Sequence, residues 1–182
     1  MQLVEAVKTQ PDIDLVQRKL TLNARGKTLY ADIWKFGINT ALRISDLLEI
    51  TLQEAQTGQL RVVEGKTGKL RTIKLNEPAM AIVKARSKPG AVYLFEVDSN
   101  RAKGKPVSRV AVAKAFKAVG DELGIALGTH SMRKTRGWMM HKAGKSIELI
   151  CKVLNHSSPA VTMAYIGLTA QDVADTYDQF VL

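Results

Sequence analysis

The apolar pattern of this chain changes period once, and that change limits what it can fold into. From Asp12 to about Ala55 apolar residues return at three- and four-residue intervals, the spacing of a helix with one buried face. Then come "QLRVV" and "LRTIKL", short and rich in Val, Ile and Thr, joined by "EGKTGK". Such residues suit a pleated strand, and the two glycines supply a turn, so this stretch reads as one β-hairpin with a basic tip. Helical spacing then resumes and holds nearly to the C-terminus. The expected fold is mostly α with a small antiparallel β-hairpin, an α+β chain.

The individual elements follow from their caps. Asp12–Asn23 predicts a helix with Ile13, Val16 and Leu20 on one side. "KTLYADIWKFG" predicts a second that stops at Gly37, and Thr40–Ala55 a third, capped by Thr40 and packed through Leu42, Leu47, Leu48 and Ile50. Asn76 caps "NEPAMAIVKAR", with proline in its first turn. "AVYLFEV" reads as a short strand or extended segment, and "SNRAKGKPVS" as a polar, basic loop. A helix runs from a Ser108 cap to Gly124. "THSMRKTRGWMMHKAG" is helical, capped by Thr129 or Ser131 and ended by Gly144. Ser146 caps "SIELICKVL", a short helical turn follows Pro159, and Thr169 caps the closing segment.

Charge narrows the function. Of 182 residues, 27 are Lys or Arg and 17 are Asp or Glu, a net charge of +10; this suggests a polyanionic partner, most simply nucleic acid. The single cysteine, Cys151, excludes an internal disulfide and a cysteine-based zinc site, and its place in "IELICKVL" reads as packing. The N-terminus lacks the pattern of a signal peptide and no apolar run reaches the length of a membrane span, so the expected location is the cytoplasm.

Several polar groups interrupt apolar patterns. Arg43 lies inside "ALRISDLL", and Lys66 sits on the hairpin tip. His130 and Arg133 stand three apart, on one helical face, and His156 precedes the turn that carries Tyr165, nine residues on. A phenol is protonated at neutral pH and needs a base or a positive field before it can attack. If it attacks a phosphodiester, arginines match the charge gathering on the non-bridging oxygens, and a lysine can protonate the leaving oxygen. Two arginines, a lysine, two histidines and a tyrosine thus form a complete set for phosphoryl transfer with no metal and no cofactor. Each residue also has an ordinary reading. Arg43 could pair with Asp46 or Glu49, Lys66 could be a solvated turn lysine, His130 a helix cap, and Tyr165 a core tyrosine. "EGKTGK" is not a phosphate loop, because position 60 is leucine where that motif needs glycine. The three histidines lack a tight ligand pair. His141 reads as structural. Tyr177 is a rival nucleophile with no histidine at the right step, and Tyr30, Tyr93, Trp34 and Trp138 read as packing.

Taken together, "ALRISDLLEITLQ", "GKTGKLRTIKL", "THSMRKTRGWMMHKAG" and "VLNHSSPAVTMAYIG" resemble the four signature segments of the tyrosine recombinase, or phage integrase, family, in the family's order, across roughly residues 32–168. The resemblance implies that family's catalytic-domain fold and a site-specific DNA recombinase, cutting and rejoining strands through a 3′-phosphotyrosine. Arg43 and Arg133 would clamp the phosphate, Lys66 would be the general acid, and His130 would accept the tyrosine proton. His156 would bond the phosphate, Tyr165 would attack, and Asp46 would orient a neighbouring cation or histidine. Lys69, Arg71, Arg101, Lys103, Lys105, Arg109 and Lys134 are further candidates for phosphate contacts, which position DNA without reading its sequence. The implied partners are double-stranded DNA carrying a recombination site, further copies of the chain (a tetramer in the synapse) and accessory DNA-bending proteins, with no membrane. Asn155 departs from the glycine usual before the histidine, and Lys134 from a frequent second histidine. The expected organisation is a single catalytic domain over 1–182 without the family's N-terminal DNA-gripping domain, either as a piece of a longer integrase or as a short stand-alone recombinase. The tail is expected to pack on its own domain or into a neighbour through Val173, Tyr177, Phe180 and Val181. A supercoil-relaxing enzyme with the same chemistry and a DNA-binding regulator that no longer cleaves are the alternatives.

Overall fold

A computed structural model describes residues 4–97 and 104–179. The order of elements is α1 (Gln10–Asn23), α2 (Leu29–Thr40), α3 (Ile44–Leu48), α4 (Leu52–Gln56), β1 (Gln59–Val63), β2 (Leu70–Lys74), α5 (Glu77–Arg86), α6 (Arg109–Leu123), α7 (Ser131–Lys142), α8 (Ile147–Leu154), α9 (Pro159–Ile166) and α10 (Ala170–Gln179). The strands pair antiparallel, Gln59 opposite Lys74 and Val63 opposite Leu70, as the change of period requires.

Helix α2 is the axis of the fold and packs against α1, α5, α6 and α7. Its Ile33, Trp34 and Phe36 are fully buried. Trp34 meets Phe116 of α6 edge-on at 5.7 Å and donates from its indole N–H to the Ile13 carbonyl of α1 at 3.3 Å; Phe36 meets Phe95 at 5.4 Å. A separate, smaller apolar cluster of Ala41, Ile150, Leu154 and Ile166 joins α8 and α9 to the end of α2 and takes in one side of Tyr165.

Two expectations change. Helix α2 does not stop at Gly37. That glycine lies within the helix because α7 passes so close that a Cβ there would stand 2.1 Å from the Met132 sulfur. The single helix expected over Thr40–Ala55 is two short ones. Thr40 is the last residue of α2, its hydroxyl donating to the Phe36 carbonyl; Ala41 turns left-handed at φ 53° and breaks the run. The chain restarts at Arg43 and again at Thr51, where Thr51 and Glu54 form a reciprocal capping box. "AVYLFEV", residues 91–97, crosses residues 50–52 and turns at Leu94 and Phe95, with hydrogen bonds between Leu52 N–H and the Val92 carbonyl and between Leu94 N–H and the Ile50 carbonyl. Its pairing amounts to isolated bridges, not a strand. All four apolar residues that suggested the long helix are buried; the pattern reported burial and not the backbone that achieves it. Asn76, Ser108 and Ser146 cap their helices as expected. His130 occupies the cap position of α7, while the Ser131 hydroxyl accepts from the Gly128 N–H.

Candidate active site

Three helix ends and the hairpin meet at one place. Arg43 stands at the start of α3 with extended backbone, which sends its side chain back toward β1. Its Nη1 lies 2.5 Å from Oε2 of Glu64, a fully buried carboxylate at the end of β1. Arg71 of β2 reaches the same carboxylate through Oε1 at 3.1 Å. Asn155 donates to Oε2 at 2.7 Å, as does the Thr67 hydroxyl of the hairpin tip at 2.9 Å. Burial pushes the Glu64 pKa up, but the bonds from Arg43, Asn155, Thr67 and Arg71 pull it down to about 2, so it is ionised at every physiological pH.

Arg133 projects from the first turn of α7 and is 2% exposed. Its Nη1 donates to the Ala41 carbonyl at the end of α2, and its Nη2 to the Leu154 carbonyl at the end of α8, each at 2.5 Å. Helix ends leave carbonyls without partners and carry partial negative charge, so a guanidinium satisfies both. The turn after α8 needs a left-handed residue; Asn155 adopts φ 53° and leads directly into His156. The His156 Nδ1 lies 3.1 Å from the Thr162 hydroxyl. Its ring meets Tyr165 edge-on with centroids 4.7 Å apart. Burial, then the charges of Arg133 and Arg43, lower its pKa to about 4. It is therefore neutral at pH 7.

Tyr165 lies near the end of α9 with its hydroxyl buried beside Arg133, without a well-aligned hydrogen bond among the described residues. Burial raises its pKa; Arg133 and Arg43 act against that rise. Lys134 sits 5.3 Å from the ring centre. For His130, desolvation and then Arg133, Arg43, Lys66 and Lys134 lower the pKa, which keeps the imidazole neutral and able to take a proton. Lys66 is exposed on the hairpin tip, whose turn is fixed by Gly68 N–H to the Glu64 carbonyl at 2.8 Å and by Gly65 N–H to Asp46 Oδ1 at 3.2 Å. All six residues singled out in the sequence thus fall in one cluster, whereas Tyr177 is 80% exposed on α10.

Some expected roles shift. Asp46 holds the hairpin backbone beside Lys66 and not a cation or histidine; its Oδ2 is buried without a partner among the described residues. Arg71 is not placed as a free phosphate contact. Its guanidinium is committed to Glu64 and to the carbonyls of Thr40, Ala41 and Val153. Lys134, in the first turn of α7, lies against the tyrosine ring. Lys69, Lys105 and Arg109 are exposed, and Arg109 lines an open cleft with Ile44, Thr129 and His130. Arg101 and Lys103 lie outside the described residues, as do Phe180 and Val181. The sequence reading missed Glu64, although the alternation of β1 through Leu60 and Val62 points it inward. Among the described residues no group of three or more His, Cys, Asp and Glu side chains is placed to hold a metal ion, and no helix is long and apolar enough to cross a membrane.

The sequence profile of the phage integrase family matches residues 11–172. The chain belongs to the phage integrase family. Among its relatives is the probable integrase/recombinase YoeC of Bacillus subtilis (strain 168), 33% identical over 184 residues, covering 99% of this chain and 98% of YoeC. The tyrosine recombinase XerC of Caldanaerobacter subterraneus is 34% identical, across 75% of this chain and 40% of that protein, so the chain spans under half of this longer relative. The fold superposes on the crystal structure of XerA recombinase with a TM-score of 0.68 at 20% identity, over 98% of this chain and 65% of that one. It also matches a lambda integrase(75-356) dimer bound to a COC' core site, with a TM-score of 0.69 at 17% identity, over 94% and 62%. The architecture of this phage integrase member is therefore the tyrosine recombinase catalytic-domain fold.

Proposed function

We propose that this phage integrase member cuts and rejoins DNA at specific sites through a covalent bond between Tyr165 and a 3′ phosphate. The observation that carries the reading is that Tyr165 packs against His156 and against the helix ends whose Ala41 and Leu154 carbonyls hold Arg133, where the charges of Arg133 and Arg43 act on its hydroxyl: a nucleophile there would have beside it the two cations that a scissile phosphate needs. In the step itself the Tyr165 oxygen bonds to phosphorus and the bond to the 5′ oxygen breaks. The phenolic proton goes to His130, and Lys66 gives a proton to the departing 5′ oxygen. Arg43 and Arg133 take up the charge on the non-bridging oxygens. Because the Tyr165 pKa is raised, the proton leaves as the new bond forms and not before it. The phosphotyrosine keeps the energy of the broken bond, so a 5′ hydroxyl from a second duplex reverses the step without ATP.

Further copies of the chain on DNA, four in the synapse, and accessory DNA-bending proteins belong to the same proposal, as does action in the cytoplasm. The dimer on DNA in the lambda integrase structure supports assembly on the substrate. Covalent trapping tests the reading. A pool of nicked duplexes with a randomised core is incubated with the protein and run on denaturing gels beside Tyr165→Phe. An adduct present in the wild type and lost in the variant supports it; DNA binding with no adduct in the wild type refutes it and favours a non-cleaving binder.

A further inference from the structure

Glu64 lies at the centre of the site, yet the chemistry above gives it no part. Its carboxylate is fully buried, and a buried charge is costly unless it is paired and hydrogen-bonded. The pairing here is specific: Arg43 from the start of α3, Thr67 from the hairpin tip, Arg71 from β2 and Asn155 from the turn before His156 all bond it directly. Arg133 Nη1 lies 4.0 Å away. One carboxylate therefore faces Arg43 and Arg133 and joins to them the segments that carry Lys66 and His156, four of the six proposed catalytic residues, and its charge offsets the mutual repulsion of three arginines.

We propose that Glu64 is a positioning residue for strand cleavage: it fixes the Arg43 guanidinium and, through Asn155 and Thr67, sets the His156 turn and the Lys66 hairpin in register with it. The inference rests on the DNA-cleaving reading. Among the described residues Arg43 uses one of its five N–H donors, on Glu64, which leaves others for phosphate while the group is held in place. Replacing the carboxylate by an amide keeps the shape but removes the charge and part of the bonding. Its cost falls on the orientation of Arg43, and misplacement of a catalytic group by about 1 Å can slow a reaction on the order of a hundredfold.

The test measures the single-turnover rate of adduct formation on the nicked pool at saturating protein, corrected for folded fraction, and the DNA Kd at fixed salt. Glu64→Gln is expected to slow cleavage by about tenfold to a hundredfold with Kd changed less than about threefold. In an Arg43→Lys background it is expected to add less than about threefold, because the group it positions is already altered. A merely structural role predicts a loss that multiplies in full with Arg43→Lys; that result, or a wild-type rate in E64Q, overturns the inference. If E64Q does not fold, Asn155→Gly removes only the bond at 2.7 Å and is expected to slow cleavage about threefold to tenfold; an unchanged rate overturns the inference. If the wild type forms no adduct, the functional reading fails and the role in cleavage falls with it; hydrogen exchange at the Arg43 side-chain N–H groups, read by NMR, then tests the positioning of Arg43 alone. Faster exchange in E64Q supports it and unchanged exchange refutes it.

Discussion

Gly137 of α7 tests whether the close approach of α9 places Tyr165. A Cβ at Gly137 would stand 2.7 Å from Ile166 Cγ2 and 3.0 Å from Leu154 Cδ1, where ordinary contact begins at about 3.4 Å. Ile166 and Leu154 are both buried in the small cluster that includes one side of Tyr165, so neither can swing into open space. Gly137→Ala therefore forces α9 away from α7 by roughly 0.7 Å, and Tyr165, the residue before Ile166, moves with it. Overpacking of this size costs about 1–3 kcal/mol, enough to lower Tm by several degrees and still leave a folded protein. The catalytic effect is expected to be larger, because a displaced nucleophile loses its alignment with phosphorus. A single-turnover adduct assay should show the rate reduced by about tenfold to a hundredfold. Gly37→Ala is the control: it also strikes α7, but through the sulfur of Met132, which packs in the larger core and not in the small cluster with Ile166 and Leu154. It should destabilise without slowing cleavage by the same factor. A Gly137→Ala protein that cleaves at the wild-type rate, or a Gly37→Ala protein slowed equally, would refute the argument.

Three other expectations follow from charge. The His130 pKa is lowered, so as a base it stays neutral until pH falls below the ordinary 6.5. The acid limb of the cleavage rate should lie below that value, and a limb at or above pH 6.5 contradicts the assignment. His156 titrates near 4 when folded and near 6.5 when unfolded; across that window the unfolded chain binds the extra proton. Stability should thus fall as pH drops from 6.5 to 4, by up to about 3 kcal/mol, and urea melts of His156→Gln should show a shallower fall, with equal slopes counting against it. Arg71→Leu removes a buried partner of Glu64 and leaves helix carbonyls unsatisfied, which should cost about 3–5 kcal/mol; a loss under 1 kcal/mol by chemical denaturation would show that Arg71 is dispensable.

The site was more legible in the sequence than the backbone that builds it. Arg43 was visible because it interrupts an apolar run, His130 and Arg133 because they share one helical face, and His156 and Tyr165 because of the nine-residue step between them in a family-like segment. The hairpin was visible because period two and period 3.6 differ over five residues. The break at Ala41 was not visible. Alanine is a strong helix former, and nothing local says that it must turn left-handed at φ 53°. Tertiary packing decides it, since Ala41 is fully buried against Ile150, Leu154 and Ile166. Gly37 misled for the related reason that a glycine inside a helix and one ending it look alike until the approach of α7 is known. Glu64 was hidden by its surroundings in "EGKTGK", where a charged residue beside glycines and lysines reads as solvated. Arg71 was hidden likewise, since a basic residue two beyond Lys69 looks like another surface charge.

The positions of the arginines have a common cause in the helix ends. Helices α2 and α8 both finish in a non-glycine residue with φ 53°, Ala41 and Asn155, and such a finish turns the last carbonyls outward without intrahelical partners. Thr40 and Ala41 at one end and Val153 and Leu154 at the other face the same space, where Arg71 and Arg133 accept the task of satisfying them. A guanidinium held by carbonyls of two rigid helices is placed more accurately than one held by loops, and each bond to a helix C-terminus also gains from the local negative potential. The arrangement leaves the cluster with more positive than negative charge: Arg43, Arg71 and Arg133 surround a single buried carboxylate. That residual charge is what a phosphodiester would neutralise, and it lies beside Tyr165, whose pKa Arg133 and Arg43 lower against the effect of burial. Fold and chemistry therefore share one requirement. The left-handed turns that close the two helices also position the arginines of the proposed anion site, so a substitution that straightens either turn, such as a β-branched residue at Asn155, should weaken helix packing and strand cleavage together.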